Sequence, residues 1–277
     1  MITVFTPTYN RAMLLPRLYD SLKKQTSSEF EWIVINDGST DNTEELLQEW
    51  ATDDNSFRFE YLTVPNGGKH RAINRAVNMA RTDAFFIVDS DDYLLPYSIE
   101  KVHKWFDTVS YDESFAGISG LRGESIDIPI GGYGNFEGEY IDCTNLERHL
   151  YNLLDDKAEV YKTSILKKYP FPEFEGENFL TEPIVFDHIA RDGYKIRWYN
   201  EITYICEYQD NGLTANGNLK FLQNPKGFIT YLNMLETVHD PMEVNVFRLQ
   251  YYKDLIAYYG TDKAMEIINM AQHMKKV

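Results

Sequence analysis

Four polar clusters stand out in the sequence, because each of them directly follows a run of residues that is typical of a β-strand. They are Thr6–Arg11, Asn36–Thr43, Asn66–Asn74 and Asp89–Asp92. In open parallel α/β sheets, ligands bind beyond the carboxyl ends of the strands. Polar residues at four such ends therefore predict one ligand-binding cleft, and their coincidence is more informative than any single cluster.

The fourth cluster has the strongest chemical character. Asp89 and Asp91 are two residues apart, so on an extended chain their carboxylates point to the same side. Such a pair at the mouth of a cleft suits a hard divalent cation that is shared with substrate phosphates. The structural alternative is a solvated acidic turn that caps the next helix, but the position after the buried run Ala84–Val88 favours the metal site.

The second and third clusters are ambiguous by themselves. Asn36–Asp41 is either a strand-to-helix turn or a binding loop, in which Asp37 accepts the imide N–H of a base and Gly38 lets the backbone approach a ring. Gly67–Lys69 lacks the GxxxxGK[ST] spacing, which excludes a P-loop ATPase. No GxGxxG follows the first strand, which disfavours a dinucleotide oxidoreductase. Lys69 or Arg71, at a helix start, can still contact a phosphate.

The composition narrows the classes of function. Asp and Glu number 43 against 27 Lys and Arg, which gives a net charge of −16. The sequence contains no cluster of basic residues. This balance argues against a protein that binds nucleic acid and against electrostatic docking on anionic lipid. Cys143 and Cys206 form neither a CxxC pair nor a zinc-ligand spacing. The N-terminus lacks the features of a signal peptide, and no apolar run is long enough to span a bilayer. We therefore expect a cytoplasmic protein without a transmembrane segment.

The elements that must position these clusters alternate short β-rich runs with helical patterns over the first 120 residues, which is typical of an α/β fold with a parallel sheet. The predicted strands are Ile2–Phe5, Trp32–Asn36, Phe57–Val64, Ala84–Asp89 and Phe115–Leu121. Residues 122–157 predict an irregular loop or an edge hairpin, and Ile196–Tyr199 and Ile202–Tyr208 predict two paired strands. From Phe221 onward the pattern is helical.

The helical C-terminal region carries an apolar stripe at three- and four-residue spacing. Its members are Val244, Phe247, Tyr251, Leu255 and Tyr258. We expect this stripe to pack on the α/β domain. The alternatives are a homodimer interface and peripheral attachment at the inner face of the membrane.

Taken together, the four clusters closely resemble the motifs of family 2 glycosyltransferases with the GT-A fold, in that family's order and spacing. The matching stretches are Thr6-Pro7-Thr8-Tyr9-Asn10-Arg11, Asn36-Asp37-Gly38-Ser39-Thr40-Asp41, Asn66-Gly67-Gly68-Lys69 with Asn74, and Asp89-Ser90-Asp91-Asp92. The resemblance implies a GT-A nucleotide-sugar-binding fold, with a mixed, mostly parallel sheet flanked by helices, over residues 1–215. Residues 1–120 would bind the nucleotide sugar, 121–215 would bind the acceptor, and 216–277 would form a C-terminal helical extension.

The resemblance also implies which residues bind the donor. They are Thr6, Pro7, Thr8, Tyr9, Arg11, Asp37, Gly38, Ser39, Gly68, Lys69, Asn74, Asp89, Ser90 and Asp91. Pro7–Tyr9 would line the base and ribose, and Asp37 would accept a hydrogen bond from uracil. Asp91 would ligate Mn²⁺ or Mg²⁺ that bridges the diphosphate, with Asp89 near the ribose or the metal.

The general base is implied less directly. Family members often carry Glu-Asp ahead of a helix, and here Thr181-Glu182 stands at that place, so Glu182 matches the family's Asp. Thr181 departs from the family pattern. Asp187 is the runner-up, and Glu175 and Glu177 are further rivals. The structural alternative is a helix-start Glu that the helix dipole favours.

The implied function is an inverting, metal-dependent transfer of one sugar from a nucleotide-diphosphate donor, expected to be a UDP-sugar, to a glycan or lipid-linked glycan in polysaccharide biosynthesis. Processive members carry QxxRW, and Tyr194 occupies the Gln position ahead of Arg197-Trp198, which favours a non-processive enzyme. The alternatives are a non-catalytic nucleotide-sugar or glycan-binding protein and a sugar nucleotidyltransferase. The latter would need a Gly-rich, Arg-containing loop where Pro7–Tyr9 stands.

Overall fold

A computed structural model describes residues 1–207 and 217–273, and its first range forms a mixed β-sheet with helices on both faces. The strands are β1 (Ile2–Thr8), β2 (Phe30–Asn36), β3 (Arg58–Thr63), β4 (Ala84–Ile87), β5 (Tyr93–Leu94), β6 (Phe115–Gly123), β7 (Tyr140–Cys143), β8 (Lys157–Lys162) and β9 (Lys195–Ile205). Their order across the sheet is β3-β2-β1-β4-β8-β6-β9-β5, and β7 pairs with β9. Neighbours from β3 to β4 are parallel, whereas β8 is antiparallel to both β4 and β6. The predicted fold class is confirmed.

The helices of this part pack in two layers. They are α1 (Leu15–Lys23), α2 (Thr43–Trp50), α3 (Lys69–Met79), α4 (Ser98–Asp107), α5 (Thr163–Lys168) and α6 (Pro183–Arg191). Helices α1, α2 and α4 cover one face of the sheet, and α3, α5 and α6 cover the other. In β2, Trp32 and Val34 face the first layer, whereas Ile33 and Ile35 face the second. Burial on both faces explains why the central strands are continuous apolar runs rather than alternating ones.

Strand β4 is shorter than its apolar sequence run. The Val88 N–H still donates to the Phe5 carbonyl (2.8 Å), but the next amide, that of Asp89, donates to the Tyr204 hydroxyl (2.9 Å). The hydrogen-bonded ladder therefore ends before Asp89. The acidic cluster lies in the loop beyond the strand, at the edge of the sheet where β1 and β2 also end.

Two predictions for the second half of the domain differ from the structure. The irregular region 122–157 contains an edge strand, β7, but β7 pairs with β9 rather than in a hairpin of its own. The two predicted strands Ile196–Tyr199 and Ile202–Tyr208 are wrong as a pair, because a single strand, β9, contains the first and continues into the second as far as Ile205. A register shift against β6, between Ser119 and Leu121, accommodates the polar residues between the two apolar runs. Tyr208 lies outside the described residues.

The C-terminal helices form a core of their own. They are α7 (Leu219–Gln223), α8 (Pro225–Leu235), α9 (Pro241–Tyr259) and α10 (Thr261–His273). The expected packing of the α9 stripe on the α/β domain is wrong, since Tyr251 and Leu255 are buried against α8 and α10, and Phe247 is 51% exposed. It is α8 that contacts the α/β domain, at α6. Within the described ranges, every helix falls short of the length or the apolar character that a bilayer crossing requires.

Candidate active site

The loops that follow β1 and β2 are joined to each other by short polar contacts. Asn10 adopts a left-handed conformation (φ 53°), and its backbone N–H donates to Ser39 Oγ (2.9 Å). The Asn10 side-chain oxygen accepts in turn from the Thr40 N–H (2.7 Å). Asn tolerates this backbone conformation better than most residues. The first two sequence clusters therefore form one wall of the cleft, with the Tyr9 ring left about half exposed (49%).

Asp37 fixes the third loop to this wall. Its two carboxylate oxygens accept from the N–H groups of Gly67 (2.8 Å) and Gly68 (2.7 Å), and its carbonyl accepts from Asn66 Nδ2 (2.8 Å). The side chain is buried, with 5% exposure. The structure thus gives Asp37 a loop-positioning role, and its contact with a uracil ring stays a prediction.

Two glycines allow the backbone to come close at this point. Gly38 (φ 75°) and Gly68 (φ 93°) both have left-handed backbones, which side chains other than glycine's rarely adopt. A Cβ on Gly38 would lie 2.7 Å from Asn66 N, and a Cβ on Gly68 would lie 1.8 Å from the Asn178 carbonyl oxygen. Gly68 therefore lets the segment ahead of α6 pass directly over the first turn of α3.

Lys69, the first residue of α3, lies at the centre of the cleft. Its Nζ is 2.6 Å from Asp89 Oδ1 and 2.7 Å from Glu182 Oε1, so one ammonium group joins two carboxylates from distant parts of the chain. Arg122, at the end of β6, approaches the other Asp89 oxygen (Nη1 to Oδ2, 3.6 Å). Burial opposes the charged form of Asp89, but these two cations outweigh it and lower the pKa of its carboxyl.

Asp91 lies in a different electrostatic environment. Burial raises the pKa of its carboxyl, and the negative charge of Asp89 raises it further. Arg11 Nη2 is 3.6 Å from Asp91 Oδ2, and Arg17 donates to the Asp91 carbonyl. A cation between two partly buried carboxylates would relieve their repulsion, so the pair fits a hard metal ion with oxygen ligands. In the described ranges no group of three or more His, Cys, Asp or Glu converges, so phosphate and water oxygens would have to complete the coordination.

Sequence reasoning missed two residues that support the acidic loop, Tyr204 and Arg122. The Tyr204 hydroxyl accepts from the Asp89 N–H and donates to Asp92 Oδ2 (2.6 Å), and the Arg122 guanidinium lies 4.4 Å from the centre of the Tyr204 ring. Burial, followed by the charge of Asp89, raises the pKa of Asp92 to about 6. Arg122 could have been found from its place at a strand end. Nothing near Tyr204 in the sequence links it to residues more than a hundred positions earlier.

Some residues of the predicted donor set point away from the cleft. The Thr6 hydroxyl is fully buried and accepts from Trp32 Nε1 (3.0 Å). Asn74 binds the segment ahead of α6, since its side chain donates to the Phe171 carbonyl and accepts from the Phe171 N–H (both 2.9 Å). Thr8 and Ser90 are buried at the edge of the cleft, with 2% and 6% exposure. The structure thus brings Tyr9, Arg11, Asp37, Gly38, Ser39, Gly68, Lys69, Asp89 and Asp91 together, with Pro7 in β1 behind them.

The rivals for the general base are separated by their contacts. Asp187 is buried (8% exposed) and accepts from Asn145 Nδ2 (2.6 Å), and Glu177 accepts from backbone amides of α8. Glu175 interacts through its carbonyl, with Lys226. Of these acids, only Glu182 has an ion pair with Lys69, and its side chain keeps 31% exposure toward the cleft.

Comparison with known proteins finds a family match in the first half of the chain. The family model described as glycosyl transferase family 2 matches residues 3–122. The chondroitin synthase of Pasteurella multocida is 38% identical over 106 residues, which are 38% of this chain and 11% of that protein. The chain spans between 11% and 40% of the length of the curated relatives it matches.

Solved structures share the fold across nearly the whole chain. The structure of TarS from Staphylococcus aureus in complex with UDP-GlcNAc has a TM-score of 0.66 at 18% identity, covering 98% of this chain and 79% of that one. The mannosyltransferase PcManGT from Pyrobaculum calidifontis, in complex with GDP-Man and Mn²⁺, has a TM-score of 0.59 at 16% identity, with 99% and 79% covered. At these identities the likeness establishes the GT-A fold. The match over residues 3–122 therefore identifies a glycosyl transferase family 2 domain in this chain.

Proposed function

We propose that this protein is an inverting glycosyltransferase that moves one sugar from a nucleotide-diphosphate donor, a UDP-sugar in the first instance, to a hydroxyl of a glycan or lipid-linked glycan. The observation that carries the proposal is the position of Lys69 between Asp89 and Glu182, at 2.6 and 2.7 Å. It means that an acid of the donor loop and the best-placed base candidate occupy one cleft. An inverting transfer needs such a pair, because the base must face the acceptor while the diphosphate leaves from the opposite side of the sugar.

On the donor side, the exposed ring of Tyr9 would lie against the nucleobase, and Asp91 with Asp89 would hold Mn²⁺ or Mg²⁺ at the diphosphate. An ion there supplies positive charge that offsets the charge developing on the departing nucleotide. Lys69 and Arg122, which both approach Asp89, would add positive charge beside it. The complexes of TarS with UDP-GlcNAc and of PcManGT with GDP-Man and Mn²⁺ support a nucleotide-sugar donor and a divalent ion.

On the acceptor side, Glu182 would accept the proton of the attacking hydroxyl. The hydroxyl oxygen forms a bond to the anomeric carbon as the bond from that carbon to the diphosphate oxygen breaks, and the nucleoside diphosphate leaves. A positioned general base contributes roughly 10²–10⁴-fold to such a step. We further propose a GT-A domain at 1–215 with a helical extension at 216–277, and action at the cytoplasmic side, where lipid-linked acceptors are reached by peripheral association.

A donor panel tests the proposal. UDP-, GDP- and dTDP-sugars are first compared by thermal shift with Mn²⁺, because a ligand that binds only the folded state raises its melting temperature. Release of nucleoside diphosphate from the best donor is then measured with and without EDTA and with glycan acceptors. We expect metal-dependent release that an acceptor accelerates. Binding without release would indicate a non-catalytic nucleotide-sugar-binding protein, and formation of pyrophosphate from a nucleoside triphosphate would indicate a nucleotidyltransferase.

A further inference from the structure

The segment that carries Glu182 is held by the C-terminal helices through a buried carboxylate. Glu177 is 7% exposed, and its two oxygens accept from the N–H groups of Lys226 (2.7 Å) and Gly227 (2.8 Å), in the first turn of α8. The free amides and the dipole at a helix N-terminus stabilise a negative charge at this place. Glu177 thereby ties residues 174–182, here called the base segment, to α8.

A second contact lies next to the first. Asn224, the residue before α8, accepts with Oδ1 from the N–H groups of Asn178 (2.8 Å) and Phe179 (3.0 Å), while its Nδ2 donates to the Lys220 carbonyl (2.8 Å). Asn224 is itself 4% exposed. Backbone amides that are partly shielded from water need a partner, and the base segment has neither helix nor strand to supply one between residues 174 and 182. The C-terminal helices supply it instead.

The opposite side of the base segment is held by α3. Arg71 donates to the carbonyls of Phe174 (2.6 Å) and Glu177, and the Gly68 backbone passes directly under the Asn178 carbonyl. The segment therefore lies between α3 on one side and the start of α8 on the other. Its last residue is Glu182, which reaches Lys69 two residues before Arg71 in α3.

We propose that Glu177 and Asn224 are positioning residues, through which the C-terminal helices set the place of Glu182 opposite Lys69. The proposal rests on the proposed function in one respect, namely that Glu182 takes the acceptor proton. It assigns the C-terminal helices a part in the transfer step that goes beyond stabilising the fold. Without the contacts made by Glu177 and Asn224, the base segment would still be attached to α3, but its path into α6 would no longer be fixed.

The test compares Glu177→Gln with Glu175→Gln as the matched control. The glutamine amide keeps one acceptor oxygen but turns an NH₂ group toward the second α8 amide, whereas the change at Glu175 leaves its carbonyl contact with Lys226 intact. We expect the transfer kcat of Glu177→Gln to fall roughly 10- to 100-fold with the donor KM within about twofold of the wild type. Amide exchange in residues 177–182 should rise in Glu177→Gln and stay unchanged in the control. Asn224→Ala should give the same pattern, which covers the case in which Glu177→Gln does not fold.

A double variant separates positioning from a general loss of structure. If Glu177 acts through Glu182, adding Glu177→Gln to Glu182→Gln should slow the residual transfer by less than about threefold. A further loss as large as the one in the wild-type background would overturn the proposal, as would unchanged amide exchange. If the wild type transfers no sugar, or Glu182→Gln keeps the full rate, the proposed function fails, and the exchange comparison alone then decides whether Glu177 and Asn224 hold the segment.

Discussion

The substitution Glu182→Gln tests the assignment of Glu182 as the general base most directly, because the structure predicts a large effect on the transfer rate and a small effect on stability. The amide keeps the size and most of the hydrogen bonding of the carboxylate but cannot accept the acceptor's proton. We expect transfer to slow by roughly 10²–10⁴-fold, which corresponds to about 3–5 kcal/mol of transition-state stabilisation. Donor affinity should not fall, because Lys69 is the one predicted donor residue with a described ion pair to Glu182, and losing this pair leaves Lys69 free for the diphosphate.

The cost in stability should be much smaller. The Lys69–Glu182 ion pair has side chains with 23% and 31% exposure, and pairs that water reaches to this extent contribute about 0–1 kcal/mol. Lys69 also keeps its second partner, Asp89, at 2.6 Å. A large loss of rate without a comparable loss of unfolding free energy is therefore the signature of a base.

The assay measures transfer rate, nucleotide-sugar Kd and urea unfolding for Glu182→Gln beside Asp187→Asn. Asp187 is buried against Asn145, and burial raises the pKa of its carboxyl, so the neutral asparagine should preserve both fold and rate. Near-normal transfer by Glu182→Gln together with collapse of Asp187→Asn would refute the reasoning and move the role to Asp187. An equal loss of donor affinity and rate would instead make Glu182 a donor-binding residue.

Three further substitutions have distinct expected outcomes. Asp91→Ala should abolish metal-dependent turnover, while its free energy of unfolding stays within about 0.5 kcal/mol of the wild type, because the partly exposed carboxylate adds little to the core. Wild-type transfer rates that do not respond to EDTA would contradict the metal assignment. Asp37→Ala leaves two loop amides without their acceptor, so it should lower the free energy of urea unfolding by roughly 2–4 kcal/mol. It should also raise the donor KM more than it lowers kcat, and an effect on kcat alone would contradict the loop-positioning role. Lys157 is fully buried, and burial, then Arg148, lowers its pKa from 10.5 to about 8. Because the unfolded chain holds this proton up to a higher pH, the wild type should gain up to about 3 kcal/mol relative to Lys157→Met between pH 8 and 10.5, and parallel pH curves for the two proteins would show that the pKa is not lowered.

The sequence predicted the parts of the site that depend on local order along the chain. Strand ends followed by polar clusters are local features, and β1, β2 and β4 bring them to one edge of the sheet because they are parallel. The orientation of the Asp37 side chain could not be predicted from the sequence, since its partners are two backbone amides about thirty residues further along the chain. Backbone amides carry no signature in the residue types.

The second half of the domain was harder to predict for a related reason. The break between the two apolar runs of β9 has the composition of a turn, but β9 bridges it because a register shift against β6 absorbs the irregularity. Whether polar residues form a turn or a bulge is decided by the neighbouring strand, here one from about eighty residues earlier. The same holds for Tyr204, whose hydroxyl acts on Asp89 only once β9 lies beside β5 and β6.

One ammonium group shared by two carboxylates has a thermodynamic consequence. A donor diphosphate would compete for Lys69 and weaken its hold on Glu182, so the carboxylate would be released when a sugar is in place to be transferred. Such coupling is reciprocal: an acceptor that engages Glu182 must change donor affinity by the same factor by which the donor changes acceptor affinity. Calorimetric titration of each ligand in the presence of the other measures both factors, and factors of one would show that Lys69 does not couple the two sites. In the absence of a donor, Lys69 would keep the Glu182 carboxylate paired.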